Sequence, residues 1–167
     1  MNFVVQVEPS AKTPAEVEYR WDADTDILTA NCRPAAVGEG VSGSVELTGS
    51  DGSWVTLDIA SGSISGVAVA VWPDVQKRST LQPPAAAEDA RVTLAPRRPP
   101  DGIAAFEVAT ALLAESDEAE RTIHFRVGKR KPRRTVRIAR DILIDVDESG
   151  RIAGVWLLNV PPFPAGT

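Results

Sequence analysis

Cysteine and histidine are almost absent from this chain, and each shortage excludes a class of protein. Cys32 is the only cysteine among 167 residues, which excludes an internal disulfide framework and a multi-cysteine metal site. His124 is the only histidine. A catalytic histidine needs a nucleophile and an orienting group beside it, and the sequence offers no third residue for a pair with Cys32. We therefore predict that His124 is structural or solvent-facing and that the protein has no catalytic residues.

Long apolar runs are also absent. The longest, near Ile152–Val160, is far shorter than the roughly 20 residues that cross a bilayer. The first residues, MNFVVQVEPSAK, carry no basic side chain before their short apolar run, which argues against a secretory signal. An apolar fraction of 43% is typical of a globular domain. We expect a cytoplasmic protein without a membrane partner.

Two motifs resemble ligand-binding loops only in part. Asp145-x-Asp147-x-Ser149-Gly150 begins like a calcium loop, but Trp156 stands at the twelfth position, where a bidentate glutamate is required. Gly38-x-Gly40-x-x-Gly43 matches the dinucleotide fingerprint by letter, yet it continues into a strand-like segment instead of a helix. We interpret both as hairpin loops and predict neither a metal site nor a cofactor.

The strongest positive feature is an internal repeat. GSISGVAVAVWP at Gly62–Pro73 recurs as GRIAGVWLLNVP at Gly150–Pro161, and the apolar alternation of Val5–Pro9 recurs at Val92–Pro96. Self-similarity of this kind indicates a duplicated unit. We predict a first β repeat at residues 1–75, a linker at residues 76–87 and a second β repeat at residues 88–167. Because a unit of about 60 residues buries too little surface to be stable alone, we expect the two copies to share one core.

Strand signals dominate both copies. Runs rich in β-branched residues are interrupted by Gly49–Gly52, Ser61–Gly62 and Glu148–Gly150, a pattern typical of hairpins. Connections this short make neighbouring strands antiparallel. The last strand of each copy is apolar on both faces and must be covered on both, by the other copy, a helix or a second chain. The predicted fold class is all-β, with two tandem antiparallel β-meander repeats in a sandwich or barrel-like closure with a pseudo-two-fold axis.

Three segments are less clear. Phe106–Arg121 contains helix formers, but alignment of the repeats places a strand there, which we prefer. Gln76–Asp89 has the composition of a linker, with one helical turn expected at Ala85–Ala90. Pro161–Thr167 is expected to be a frayed tail. The tryptophans are expected to anchor the core between the copies; they are Trp21, Trp54, Trp72 and Trp156.

A basic run is the one segment with a case for ligand binding. Arg121–Arg140 contains nine basic residues and no acidic one, in a chain of net charge −5. Such a cluster attracts phosphate backbones, but it lacks the aromatic side chains with which single-strand binders stack on bases. We favour a solvated strand face paired with acidic neighbours, and we keep contact with nucleic acid or another acidic partner as the alternative. The contact residues would be Lys129, Arg130, Lys131, Arg133, Arg134 and Arg137, with Arg140 closing the ridge.

The two ends of the repeat carry a family resemblance. Trp21–Leu28 (WDADTDIL) resembles the opening Tyr-Asp-x-x-x-Asp-x-Leu of a small bacterial domain family of unknown function. Asp145, Asp147, Gly150, Ile152, Gly154 and Val155 resemble its closing Asp-x-Asp-x-x-Gly-x-Ile-x-Gly-Val hairpin. The resemblance implies a small β-meander domain, present here as two degenerate tandem copies, and it implies no activity.

These observations favour a non-enzymatic interaction or scaffold module. We expect it to bind a protein partner, or a second copy of itself, through β surfaces. The alternatives are a nucleic-acid-associated protein that uses Lys129–Arg140 and, less favoured, a hydrolase-like enzyme built on clustered carboxylates.

Overall fold

Strands are the only regular elements in the described part of the chain. The computed structural model describes residues 4–10, 13–33, 42–85, 87–94 and 103–164, with only the backbone at residues 103–106. Nowhere in these ranges does a helix long and apolar enough to cross a membrane occur. The strands are β1 (Val5–Pro9), β2 (Glu16–Asp22), β3 (Ile27–Arg33), β4 (Ser42–Thr48), β5 (Trp54–Ala60), β6 (Ser63–Val71), β7 (Val75–Lys77), β8 (Glu88–Leu94), β9 (Ile103–Ala109), β10 (Leu112–Ser116), β11 (Ile123–Val127), β12 (Arg134–Ala139), β13 (Ile142–Val146) and β14 (Ile152–Leu157).

Period-two burial and tight turns explain why these segments form hairpins. In β5 the side chains of Val55, Leu57 and Ile59 are buried while those between them are more exposed, as expected for a strand with one face on a core. The β5–β6 and β13–β14 hairpins turn at Gly62 and Gly150, whose φ angles are 80° and 79°. Glycine adopts this left-handed conformation without steric cost.

The two halves of the chain pair their strands in the same order. Antiparallel pairing in the first half runs β2-β3-β6-β5-β4. In the second half it runs β10-β11-β14-β13-β12. Together these strands form a curled, half-barrel sheet. The predicted all-β class is therefore confirmed.

Strands exchanged between the halves join the sheet. β1 pairs with β8 in an antiparallel ladder. Parallel pairs connect β4 with β9 and β10 with β7 across the halves. A further parallel pair, β12 with β8, lies within the second half. One hydrophobic cluster accordingly contains buried side chains from both halves, among them Leu28, Val69, Phe125 and Leu157.

The uncertain segments resolve as strands. Residues 106–109 end β9 and Leu112–Ser116 form β10, so the strand interpretation of Phe106–Arg121 is confirmed up to Ser116. The helical turn expected at Ala85–Ala90 is wrong. Residues 88–90 begin β8 instead, because the edge of β12 accepts Glu88 and Asp89 as parallel partners.

Two further expectations need correction. The tail is not frayed at its start, since Pro161 and Phe163 contact Trp21; residues 165–167 lie outside the described part. Trp54 does not anchor the core but is 38% exposed. It precedes the buried Val55 on β5 and therefore points to the opposite face of the strand. In the glycine motif, Gly43 lies in β4 and Gly38 and Gly40 fall outside the described residues.

Candidate functional site

Four aromatic rings form a continuous ladder between the two halves of the chain. Phe125 of β11 contacts Trp72, which follows β6, with ring centroids 5.7 Å apart. Trp72 stacks on Trp21 of β2, at 5.7 Å and an interplanar angle of 19°. The edge-to-face contact of Trp21 with Phe163 has a centroid distance of 5.1 Å. The ladder leads from a fully buried ring, Phe125, to one that is 43% exposed, Phe163.

Hydrogen bonds from ring substituents hold this arrangement in place. The indole of Trp21 donates to the Pro161 carbonyl at 2.9 Å, which ties the tail to β2. The indole of Trp72 donates to the Asp26 carbonyl at 2.7 Å, which ties the end of β6 to the β2–β3 turn. Buried tryptophans normally find such a partner, and here the partners fix the orientation of both rings.

A third bond comes from the phenol of Tyr19, which donates to the Leu158 carbonyl at 2.6 Å. Burial raises the pKa of Tyr19, and the nearby Asp141 carboxylate raises it further. The phenol therefore stays protonated and acts as a donor across the physiological pH range. It links β2 to the segment that follows β14, so both halves contribute to the frame around the rings.

Three of the four rings, those of Trp21, Trp72 and Phe163, line an open cavity of about 570 Å³, within the usual size range of ligand pockets. Its wall is mainly apolar, and Val75 and Phe163 are 41% and 43% exposed there. Exposed apolar surface concentrated at one concave site marks interaction sites more often than scattered exposure does. We define the aromatic cleft as the cavity lined by Trp21, Asp26, Trp72, Val75, Lys77, Ser116, Ala119, Glu120, Ile123, Pro161, Pro162 and Phe163.

The rim of the aromatic cleft is acidic. Lys77 pairs with Glu120 at 3.0 Å, and this hydrogen bond raises the pKa of Lys77. The neighbouring Arg78 pairs with Glu115 at 2.7 Å. Three exposed carboxylates of the β2–β3 turn have no ion pair within the described ranges; they are Asp22, Asp24 and Asp26. Lys77 and Arg78 are thus paired with acids, whereas the three aspartates of the β2–β3 turn and the exposed Arg121 of the β10–β11 turn form no ion pair with a described residue.

The basic ridge predicted from the sequence is largely paired with acids. Arg133 lies 3.4 Å from Glu148, in an exposed pair. The other pairs are Arg130–Asp147 at 3.3 Å, Arg134–Glu88 at 2.6 Å and Arg140–Glu16 at 3.0 Å.

The remaining ridge residues divide between the surface and the sheet. Lys129 and Lys131 are exposed, and neither forms an ion pair with a described residue. Arg137 is half-buried, and its Nε atom is buried without a hydrogen-bond partner in the same ranges. The ridge is therefore a mixed-charge surface with two free lysines at the β11–β12 connection, and not a continuous positive track.

His124 belongs to a buried polar cluster on the second half of the sheet. Its Nε2 lies 2.8 Å from Oδ2 of Asp145, and its ring stacks on Trp156 with centroids 4.0 Å apart. Oδ1 of Asp145 accepts hydrogen bonds from the Thr135 hydroxyl at 2.6 Å and the Trp156 indole at 3.3 Å.

The side chains of this cluster are largely shielded from solvent. Asp145 is only 2% exposed. The Thr135 hydroxyl, which is the one potential nucleophile of the cluster, already donates a hydrogen bond to the Asp145 carboxylate. A fully satisfied buried network of this kind orders a core. The hairpin turn predicted for the Asp145–Gly150 motif is confirmed at Asp147–Gly150, but Asp145 itself lies within β13. The turn is organised by Asp147, whose Oδ1 accepts from the backbone amides of Ser149 and Arg151.

Metal ligands are not gathered at any of these places. Within the described residues, no group of three or more His, Cys, Asp or Glu side chains is placed to hold a metal ion. Burial raises the pKa of the Cys32 thiol to about 11, so this cysteine remains a neutral core side chain.

Sequence reasoning missed several residues of the aromatic cleft. Val75 was the last residue of the predicted first repeat, Lys77 lay in the predicted linker and Phe163 in the predicted tail, so none of them was assigned to a site. A usable signal was the proline that follows the last strand of each half. Pro73 and Pro161 come after β6 and β14, and the segments beyond them supply Val75 and Phe163 to the cleft.

No protein-family model matches this chain, and no curated protein matches it. The resemblance to a small bacterial family therefore remains a prediction, and the site must be interpreted from its own geometry.

Proposed function

We propose that the protein is a non-enzymatic interaction module that binds a protein partner at the aromatic cleft. The observation that carries this proposal is the open ladder of rings, which is rigidly held by hydrogen bonds yet partly exposed. Aromatic side chains of this kind dominate the energetics of protein interfaces, since they bury a large area at a small cost in conformational entropy. A location in the cytoplasm remains part of the proposal.

We also infer that the chain is a fused pseudo-dimer of two equivalent units. The shared order of strand pairing supports this inference. The register of β1 and β8 supports it further. Val5 and Val7 are the sequence equivalents of Val92 and Leu94, and Val5 pairs with Leu94 while Val7 pairs with Val92. Reciprocal pairing of equivalent positions is the signature of a two-fold interface.

The aromatic cleft would then lie on the pseudo-two-fold axis. The equivalent of Trp21 is Ser116, at the end of β10, and both line the same cavity. The equivalent of Trp72 is Val160, since each precedes the shared proline. A site on such an axis occurs once per chain. Here the first unit supplies the two tryptophans of the ladder, and the second unit supplies the two phenylalanines.

A matched pair of charge insertions tests the site. Val75 lines the aromatic cleft, and Leu113 is 51% exposed on the neighbouring strand β10. The two side chains lie on different faces, because Val75 pairs with the adjacent Ala114. We expect Val75→Lys to abolish capture of a partner from a lysate of the source cells, and Leu113→Lys to leave capture unchanged. Equal capture by both variants, with normal folding, would contradict the proposal.

Nucleic-acid binding is not proposed. The ion pairs of the basic ridge already neutralise four of its arginines, and no described aromatic side chain accompanies its two free lysines. Likewise, nothing in the described carboxylates supports a hydrolase.

A further inference from the structure

We propose that the occupant of the aromatic cleft is an extended, arginine-rich segment of the partner protein. This inference rests on the proposed function and adds the chemistry of the ligand. It combines two independent features of the cleft, its exposed rings and its unpaired acidic rim.

The rings supply a surface suited to a planar cation. Guanidinium groups stack on aromatic faces, and Trp gives the strongest attraction of the three aromatic residues. The outer end of the ladder is Phe163, 43% exposed, with Trp21 half-buried behind it. An arginine side chain can lay its methylene stem against the apolar wall at Val75 while its charged end remains at the rim.

The rim supplies the charge complementarity. Two turns flank the cavity, the β2–β3 turn with Asp22, Asp24 and Asp26, and the β10–β11 turn with Asp117, Glu118 and Glu120. Only Glu120 among these forms an ion pair with a described residue. The Asp117 carboxylate instead accepts the backbone amides of Arg121 and Thr122. The exposed Arg121 of the same turn offsets one of these charges. The acids still outnumber it and leave a negative field that steers a basic segment and disfavours an acidic one.

The shape of the site favours an extended segment over a folded surface. The chain's own Pro161 and Pro162 line one wall of the cleft, and they lack the amide protons needed for a strand ladder. A partner segment would lie beside this wall and contact the rings through alternate side chains, as extended peptides do in aromatic-lined grooves.

Direct binding of a defined peptide tests the inference. The probe is a dye-labelled peptide of alternating glycine and arginine, measured by fluorescence anisotropy at about 50 mM salt, with a glycine–glutamate peptide as the comparison. We expect the arginine peptide alone to bind. Phe163→Ala should weaken binding about tenfold, roughly 1.4 kcal/mol, whereas Leu113→Ala should have no effect.

Two double variants of the same net charge distinguish attraction at the cleft from non-specific attraction to the acidic protein as a whole. Asp26→Asn with Glu118→Gln removes two carboxylates beside the cleft. Glu8→Gln with Glu107→Gln removes two exposed carboxylates from β1 and β9. We expect about a tenfold loss for the first variant only, because it removes negative charge where the arginine side chains bind. Equal losses in both variants would show non-specific attraction and would overturn the inference.

Two other outcomes would also overturn it. If the arginine peptide fails to bind while partner capture still depends on Val75, the cleft binds a protein of different chemistry and the proposed function survives. If the protein alone forms salt-sensitive oligomers that the Asp26→Asn, Glu118→Gln variant abolishes, the occupant is the lysine-bearing β11–β12 connection of a second copy.

Discussion

The two halves of the molecule pair their strands in the same order but carry different side chains. Where the halves meet, the first half has Trp21 and Trp72, and the second half has Phe125 and Phe163. The halves also differ on the outer sheet face. The second half buries Asp145 in a network with His124, whereas the equivalent Asp58 of the first half has no side-chain partner among the described residues.

The same arrangement of strands therefore surrounds its aspartate with different side chains in the two halves. Each half keeps a glycine opposite its strand aspartate, Gly66 beside Asp58 and Gly154 beside Asp145. The residues around these pairs decide the outcome. Thr135 and Trp156 donate hydrogen bonds to Asp145 and stabilise its position in the second half. Asp58 in the first half lacks such donors and is therefore less stabilised.

The largest expected effect is a loss of stability when a tryptophan of the ladder is truncated. Trp72→Ala should lower the free energy of unfolding by about 3 kcal/mol, because it removes ring contacts with Trp21 and Phe125 and the bond to Asp26. Val160→Ala, at the equivalent position, should cost about 1–2 kcal/mol. Urea unfolding of both variants measures the difference. A smaller loss for Trp72→Ala would mean that the ladder does not hold the halves together.

A smaller contrast separates the two strand glycines. A Cβ on Gly154 would lie 2.5 Å from Oδ2 of Asp145 and 2.9 Å from the Phe125 carbonyl. A Cβ on Gly66 would lie 3.0 Å from the Ala30 carbonyl and 2.9 Å from Oδ1 of Asn31, the end of an exposed side chain that can move, so Gly66 meets fewer fixed atoms than Gly154 does. We expect Gly154→Ala to cost about 2–3 kcal/mol and Gly66→Ala about 1 kcal/mol. Equal thermal unfolding midpoints for the two variants would contradict this contrast.

Asp58, which has no side-chain partner among the described residues, should make the stability of the protein depend on pH. Burial raises the pKa of Asp58, so the folded state holds this proton more tightly than the unfolded chain does. Its favourable contribution is then present below the unfolded value, about 3.9, and is lost as pH rises through the folded pKa.

We therefore expect Asp58→Asn to be more stable than the wild type at pH 7 and to lose this advantage at pH 3.5. Urea titrations at the two pH values measure this change. An advantage that is the same at both would show that the carboxylate charge is not the cause.

The smallest effect concerns the basic ridge. Arg133→Glu should change the free energy of unfolding by no more than about 0.5 kcal/mol, since the Arg133–Glu148 pair is exposed. The same variant and the wild type should both fail to bind labelled duplex DNA at about 50 mM salt. Tight wild-type binding that falls steeply by about 200 mM would restore the ridge as a functional surface.

The sequence predicts the strands of this fold better than its site. Alternating β-branched residues and turn glycines specify hairpins locally, so the all-β class could be recognised. The strand at Leu112–Ser116 contains helix formers and was predicted only from alignment of the two halves. The exchanged pairs, such as β4 with β9, could not, because they join segments far apart in the chain. The aromatic cleft depends on those long-range contacts, which bring Trp21 and Phe163 together.

The sequence led us to expect acidic neighbours for the basic run, but it could not identify most of them. The basic run is continuous in sequence, but strand pairing places Glu88 beside Arg134 and Glu148 beside Arg133. The aromatic residues are few and scattered, and only the folded sheet gathers them. A buried position for Asp145 was equally hidden, since its motif is also a typical turn sequence.

The most direct test of the cleft is NMR of the four tryptophan indole N–H signals during titration with the glycine–arginine peptide. Trp21 and Trp72 report on the cleft, while the exposed Trp54 and the buried Trp156 act as internal controls. We predict that the Trp21 and Trp72 signals shift with saturation and the other two do not. Unchanged signals for Trp21 and Trp72, with shifts at residues of the basic ridge or nowhere, would contradict the account.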